Sequence, residues 1–159
     1  MIIRKPTSEE LEELRYIAKL QFGVNAEMFL PNDLTIAISP NTNKIRLIFR
    51  NGNRYLALRS RDFRFNLYIE AGKVLNEILP HPLYRVYVKD EYVDFIARGA
   101  TLFSKHVLMA DPRIRPDDEV IVADSHGNLL AVGRAVEPGW EMTFYKRGVA
   151  VKIREGIYQ

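Results

Sequence analysis

Cysteine is absent from this sequence of 159 residues. Without cysteine the chain has no disulfide, no thiolate nucleophile and no thiolate metal ligand. Long apolar runs are also missing, since no stretch approaches the roughly 18 residues that a membrane-spanning helix needs. The start of the chain, MIIRKPTSEE, lacks the apolar core of a signal peptide. These absences predict a protein that is neither inserted into a membrane nor secreted, and they favour the cytoplasm.

Motifs for metal binding and catalysis are scarce as well. The three histidines lie far apart in the chain, and no spacing of His, Asp or Glu resembles a known metal motif. No phosphate-binding glycine loop and no dinucleotide fingerprint is present. A hydroxyl and a histidine are adjacent in Asp124-Ser125-His126, but adjacent residues in a strand point to opposite faces and cannot form a catalytic pair. We expect no metal, no cofactor and no catalysis by this chain alone.

Positive charge is concentrated in one segment, residues 44–64. Seven basic residues stand there against one acid, whereas residues 83–159 hold 11 basic and 11 acidic residues. The seven are Lys44, Arg46, Arg50, Arg54, Arg59, Arg61 and Arg64. Such a cluster is typical of a protein that binds a polyanion, although a solvated face of a strand pair explains it equally well.

The first half of the chain predicts helices and hairpin strands. Thr7 and Glu10 have the spacing of a capping box, and Gly23 ends the helical pattern that follows them. Strands are expected over 34–39, 44–49 and 54–59. Asn51-Gly52 is a strong hairpin signal between the last two strands. A second helix is expected where Ala71, Val74, Leu75 and Ile78 form one stripe, before Pro80-His81-Pro82.

The second half has the rhythm of a small barrel. Strands are expected over 84–88, 102–108, 119–124, 129–136 and 148–154, with a short helix over 91–98. Many short strands in so little sequence are typical of a closed or nearly closed β-barrel. The predicted fold class is therefore α+β, with an N-terminal α+β domain over 1–82 and a β pseudobarrel over 83–159.

Two stretches resemble known domains. The pair DEVIV and LLAVGRA, followed by RGVAVKIR, makes residues 83–156 resemble a PUA domain, which is a small RNA-binding pseudobarrel. The stretch KIRLIFRNGNRYLALRSRDFRFNLYIEAGKVL resembles the domain that precedes the PUA domain in archaeal archaeosine tRNA-guanine transglycosylases. It departs from that pattern at RDFRF, where a turn containing glycine is expected. The resemblance implies a short stand-alone relative without the large catalytic barrel of those enzymes.

The resemblance also implies an RNA-binding surface along a helix end, a glycine turn and the next strand. Carried over by position, this surface consists of Arg98, Gly99, Ala100, Thr101, Phe103, Lys105, His106, Gly148, Val149 and Arg154. Lys44 and Arg46 in the basic segment are further candidates for RNA contact. Glycine permits close approach of a phosphate or ribose, and the basic side chains bind phosphate.

Structural roles compete with RNA contact at several of these positions. Gly99 has the place of a helix cap, a role that is compatible with RNA contact. Phe103 is expected to face the core rather than to stack on a base, and His106 to have its hydrogen bonds satisfied within the protein rather than to contact a base. Outside this surface, Trp140 is expected to fill the core.

The resemblance implies a non-catalytic protein that grips structured RNA, such as the acceptor end of a tRNA. A separate RNA-modification enzyme is a further implied partner. The alternative is a protein-interaction module, for example a ribosome-biogenesis adaptor, and a weaker one is a small-molecule binder.

Overall fold

The computed structural model describes all 159 residues, which form two compact units, 1–74 and 75–159. The fold is α+β, as the sequence predicts: a unit of helices and a five-stranded sheet precedes a nearly closed, barrel-like unit of six strands. The division falls inside a helix, so the predicted boundary between residues 82 and 83 stays a prediction.

The first unit is an antiparallel sheet with three helices. Its strands are β1 (Ile2–Arg4), β2 (Leu34–Ile38), β3 (Ile45–Arg50), β4 (Asn53–Leu58) and β5 (Phe65–Leu67). Its helices are α1 (Ser8–Phe22), α2 (Ala26–Phe29) and the start of α3 (Ile69–Ile78). The strands lie in the order in which they occur in the chain.

Local sequence signals set the ends of α1. The Glu10 amide donates to Thr7 Oγ1 over 3.1 Å and the Thr7 amide donates to Glu10 Oε1 over 2.8 Å, which confirms the capping box. Arg4 donates to the same carboxylate, and this bond is the main cause that lowers the pKa of Glu10 to about 2. Gly23 ends α1 at a φ of 66°, a conformation that glycine adopts without a steric penalty.

Turn chemistry likewise positions β3 and β4. Asn51 and Gly52 have φ values of 52° and 77°, as a two-residue hairpin turn requires, so this predicted hairpin is confirmed. Phe63, with a φ of 54°, is also left-handed and lies in the RDFRF stretch. A bulky side chain is rare in that conformation, and this is the stretch in which the sequence pattern calls for a glycine.

The second unit is the six-stranded sheet. Its strands are β6 (Arg85–Val88), β7 (Leu102–Phe103), β8 (Val107–Ala110), β9 (Glu119–Ala123), β10 (Leu129–Ala135) and β11 (Val149–Gly156). Helices α4 (Val93–Ala97) and α5 (Gly139–Met142) lie in its connections. The strand order is β7-β11-β10-β9-β6-β8, and only the β6–β9 pair is parallel.

The closure of this sheet explains why the predicted strand over 102–108 is wrong. The structure splits it into β7 and β8, with a short 3₁₀ turn at Ser104–His106 between them. β7 pairs with β11 and β8 pairs with β6, at opposite ends of the strand order. The chain must therefore leave one edge and join the other, which a continuous strand does not allow.

Each unit is held together internally by one buried polar side chain. In the first, the buried Tyr55 hydroxyl donates to the Phe29 carbonyl over 2.7 Å, and burial raises the pKa of Tyr55 to about 12. In the second, Arg85 is fully buried and donates to the Asn76 carbonyl over 2.8 Å and to the Leu83 carbonyl over 3.1 Å. These bonds tie the stretch between Asn76 and Leu83 to β6.

Candidate nucleic-acid interface

The corner at residues 97–108 begins where α4 ends. Arg98 follows the helix and is exposed, and Gly99 turns the chain with a φ of 97°. The Gly99 amide donates to the Ile96 carbonyl over 2.9 Å, and the Ala100 amide donates to the Phe95 carbonyl over 3.0 Å. Carbonyl groups at the end of α4 thus accept hydrogen bonds from the amides that follow the helix. This confirms the predicted capping role of Gly99.

The last residues of the chain pack against this glycine. The Tyr158 amide donates to the Ala97 carbonyl over 2.9 Å. A Cβ atom at Gly99 would overlap the side-chain amide of Gln159. The φ of 97° favours glycine at this position, whereas the Gln159 side chain could move to admit a Cβ atom. Arg98, Ala100 and Thr101 keep exposed side chains.

Pairing of β7 with β11 brings the candidate residues of 98–106 next to Gly148 and Val149. Phe103 lies opposite Val149, and the Ser104 amide donates to the Gly148 carbonyl over 3.0 Å. Leu102 is buried, whereas Phe103 is 44% exposed. The expectation that Phe103 faces the core is therefore wrong, because Leu102 takes the inward position. Lys105 lies in the 3₁₀ turn that follows β7 and is exposed.

His106 is set apart from these exposed side chains. It is buried and stacks on Tyr92 with ring centroids 3.2 Å apart and an angle of 21°. Burial, followed by the charges of Lys105 and Lys89, lowers the pKa of His106. Its environment favours a structural role within the corner over contact with a base.

Arg154 forms an ion pair with a buried carboxylate. Its guanidinium holds both oxygens of Glu119, with Nη2 lying 2.8 Å from Oε2. Glu119 is fully buried, and 23% of the Arg154 side chain is exposed. This arginine compensates a buried charge, so the structure does not favour its predicted role as a phosphate ligand.

Opposite charges also accompany the basic segment of the first unit. Lys44 and Arg46 line a 240 Å³ depression together with Glu10 and Glu13. Two further members of the cluster form ion pairs, Arg50 with Asp33 at 3.6 Å and Arg59 with Asp62 at 3.4 Å. The seven-to-one excess in the sequence therefore does not produce a uniformly positive face.

A group of exposed side chains near Gly148 was missed by sequence reasoning. Trp140 is 57% exposed, Phe144 70% and Tyr145 51%, and the next two residues, Lys146 and Arg147, are exposed as well. The expectation that Trp140 fills the core is wrong because Gly139 and Met142 take the buried positions of α5. The signal that points to this group is the run FYKRG, in which aromatic and basic residues adjoin a glycine.

Neither metal clusters nor membrane spans are found. No three His, Asp or Glu side chains come together as metal ligands would. None of the helices has the length and apolar character needed to cross a bilayer.

Comparisons with known proteins divide the chain in two. Residues 12–82 match the patch-forming domain C2 of tRNA-guanine transglycosylase, and residues 84–157 match the PUA domain. The tRNA-guanine(15) transglycosylase of Pyrococcus furiosus is 40% identical over 98% of this chain, and that of Thermoplasma volcanium is 38% identical over 96%. The chain spans only about a quarter of their length, 26% and 24%.

Solved structures support the same fold. A hypothetical protein from Pyrococcus horikoshii has a TM-score of 0.73 at 22% identity, with 99% of this chain and 96% of that chain covered. A conserved PUA domain protein from Thermoplasma acidophilum has a TM-score of 0.67 at 19% identity, covering 98% and 93%. The chain therefore contains a domain of the C2 family of tRNA-guanine transglycosylase followed by a PUA domain, and it is similar to the C-terminal region of archaeal tRNA-guanine(15) transglycosylases.

Proposed function

We propose that this chain binds structured RNA, and specifically tRNA, without catalysing a reaction itself. The observation that carries the proposal is the corner at residues 97–108, where Arg98, Phe103 and Lys105 are exposed around a glycine turn. Neither basic residue forms an ion pair within the chain. Cations and an aromatic face beside a turn match the chemistry of a phosphate chain with unpaired bases.

The relatives support the choice of tRNA. Their name describes an enzyme that acts on guanine 15 of tRNA, and this chain matches a C-terminal part of it that makes up about a quarter of its length. On this proposal the chain holds the acceptor end of a tRNA and serves as an accessory subunit for a modification enzyme supplied by another chain.

Titration of a tRNA transcript over a range of salt concentrations tests the RNA function. About four cations near the corner, Arg98, Lys105, Lys146 and Arg147, are free to meet phosphates, so log K is expected to fall against log salt with a slope of about −3. Absence of binding at low salt contradicts the proposal.

The accessory role needs a separate test. We expect the chain, added in trans, to increase guanine exchange on tRNA by a transglycosylase shortened to its catalytic part. A shortened enzyme whose rate is unchanged by saturating amounts of the chain contradicts the accessory role and leaves RNA binding in place.

A second candidate function, a protein-interaction adaptor, is favoured by one surface of the first unit. Tyr16 and Phe63 are 63% and 59% exposed and line a 640 Å³ depression rimmed by Glu9, Glu12 and Glu13. An acidic, aromatic surface repels RNA and suits a basic protein segment. This function predicts that the chain shows no salt-dependent affinity for RNA.

A further inference from the structure

The turn between β4 and β5 places a phenylalanine ring in solvent. Phe63 has a φ of 54°, a conformation that a bulky side chain rarely adopts, and it is 59% exposed. Glycine adopts this conformation readily and would leave no apolar ring on the surface. A residue that is unfavourable both for the backbone and for contact with water points to a binding role.

The turn that carries Phe63 is held in one shape by its neighbours. The Arg59 amide donates to the Arg64 carbonyl over 2.8 Å and closes the turn. The buried Arg59 side chain donates to Asn66 Oδ1 over 2.6 Å and to Asp62 Oδ2 over 3.4 Å. A ligand that contacts the ring therefore loses little affinity to ordering of the turn.

Helix α1 forms the opposite wall of a groove beside this ring. Gln21 Nε2 donates to the Phe65 carbonyl over 2.9 Å, and the Phe65 amide donates to Gln21 Oε1 over 2.7 Å. These bonds fix the end of α1 against the start of β5. Three depressions of 640, 240 and 340 Å³ all have Ile17 of α1 and Phe63 in their lining. They adjoin one another, and together they are called here the Phe63 groove.

The Phe63 groove is acidic at one end and apolar at the other. Glu9, Glu12 and Glu13 line the largest depression, are exposed, and form no ion pair within the chain. Tyr16 follows Glu12 by one helical turn, and Leu20, one turn further on, is 70% exposed. From Glu9 to Leu20 the helix extends about 16 Å. Carboxylates thus give way to apolar side chains along the groove.

Basic side chains border only the two smaller depressions. Lys44 and Arg46 line the depression of 240 Å³, and Arg64 lines that of 340 Å³. Glu10, which also lines the former, is already bound to Arg4 over 2.7 Å. The largest depression has no basic residue in its lining, so the uncompensated negative charge lies there.

We propose that the Phe63 groove binds a short segment of a partner protein in which basic residues adjoin apolar ones. The basic groups of the segment meet the carboxylates and the faces of Tyr16 and Phe63, because cations bind aromatic faces. Its apolar residues cover Leu20 and Phe63. About five residues of extended chain match the length of the groove.

The two ends of the groove select this occupant over others. RNA is repelled by the carboxylates, and a free polyamine neutralises them but leaves Leu20 exposed to water. The inference goes beyond the proposed RNA binding and does not rest on it, since none of the residues of the corner lines the groove.

Selection from a library of random seven-residue peptides displayed on phage tests the inference, with the whole chain immobilised. Peptides with two or more lysines or arginines beside apolar residues are expected to be enriched. The affinity of an enriched peptide is then measured by fluorescence anisotropy. It is expected to fall with added salt, because salt screens exposed charges.

Variants of the groove locate the peptide. Phe63→Gly removes the ring and suits the backbone, because glycine adopts a φ of 54° without a steric penalty. This variant is expected to stay folded and to bind the enriched peptide about 10-fold more weakly or worse. Glu12→Gln/Glu13→Gln is expected to weaken binding about 10-fold at low salt and far less at high salt.

A matched control removes an exposed ring from elsewhere. Phe144 in the second unit is 70% exposed and does not line the groove, so Phe144→Ala is expected to keep the affinity for the peptide. Loss of affinity in both groove variants and its retention in this control is the predicted result.

Three results overturn the inference. The first is a selection that enriches no peptide of the basic and apolar type. The second is an unchanged affinity of the enriched peptide for folded Phe63→Gly, because the peptide then binds elsewhere. The third is displacement of the peptide by an equal concentration of spermidine, which shows that the carboxylates bind a free amine instead.

Discussion

Gly99 is the residue on which the geometry of the corner depends. Its φ of 97° is unfavourable for any residue with a Cβ, and a branched side chain would also displace Gln159. Gly99→Val is therefore expected to lower the free energy of unfolding by about 1–3 kcal/mol. It is also expected to weaken tRNA binding, measured at a temperature at which the variant is folded.

Gly52→Ala is the control for backbone strain alone. Gly52 has a φ of 77° in the β3–β4 turn, and no atom lies within 4 Å of an added Cβ. This variant should lose stability and keep its affinity for tRNA. If Gly99→Val behaves in the same way, Gly99 acts only as a helix cap.

His106 makes the second unit sensitive to acid. Its folded-state pKa lies below the ordinary value of about 6.5, so below that pH the unfolded chain binds the proton more readily than the folded chain. Stability from this group is present above pH ~6.5 and is lost as the pH falls through the lowered folded pKa. His81, whose pKa is also lowered by burial, acts in the same direction.

Thermal unfolding between pH 7.5 and 5.0 measures this effect. The melting temperature is expected to fall toward the acid end, and His106→Gln is expected to reduce that dependence. His126→Gln, which changes an exposed histidine in the β9–β10 turn, is the control and should leave the dependence as it is. An identical pH dependence for wild type and His106→Gln contradicts the account.

Among the elements, α1 is the clearest case of local sequence control. Thr7→Ala removes the acceptor of the Glu10 amide and should cost about 1 kcal/mol. Thr7→Ser keeps that acceptor and should cost much less. Urea unfolding of the two variants measures the difference, and equal stabilities would show that the capping box contributes nothing.

Elements with local signals were predictable, and those that depend on distant partners were not. The capping box at Thr7 and the Asn51-Gly52 turn carry their geometry in neighbouring residues. By contrast, β1 and β5 have only three residues each, and they form strands because β1 pairs with β2 and β5 pairs with β4. The split of 102–108 follows from closure of the sheet, which no local pattern encodes.

The same distinction applies to the candidate site. The turn at Gly99 was predictable because only glycine readily adopts a positive φ there. The exposure of Phe103 and Trp140 was not predictable, because contacts in the folded chain decide which of several nearby side chains is buried. Leu102 and Met142 take the inward positions.

At the scale of the whole molecule, limited proteolysis tests the proposed domain boundary. Arg85 binds the carbonyls of Asn76 and Leu83, so the stretch around Pro80-His81-Pro82 is held in place. We expect this stretch to resist cleavage at protease concentrations that cut exposed loops. Rapid cleavage at 80–83 into two stable fragments would show that it is a flexible linker.

Lys105 offers the most direct test of the central claim, that the corner binds RNA. Lys105→Ala should leave the melting temperature nearly unchanged, since an exposed lysine changes stability by less than about 0.5 kcal/mol. Loss of one phosphate contact should weaken tRNA binding by about 1 kcal/mol and make the salt slope shallower by about one unit. The measurement is the tRNA affinity of wild type and variant over a salt series. A weaker affinity with a shallower slope is the predicted result, and an unchanged affinity in a folded variant would contradict the claim.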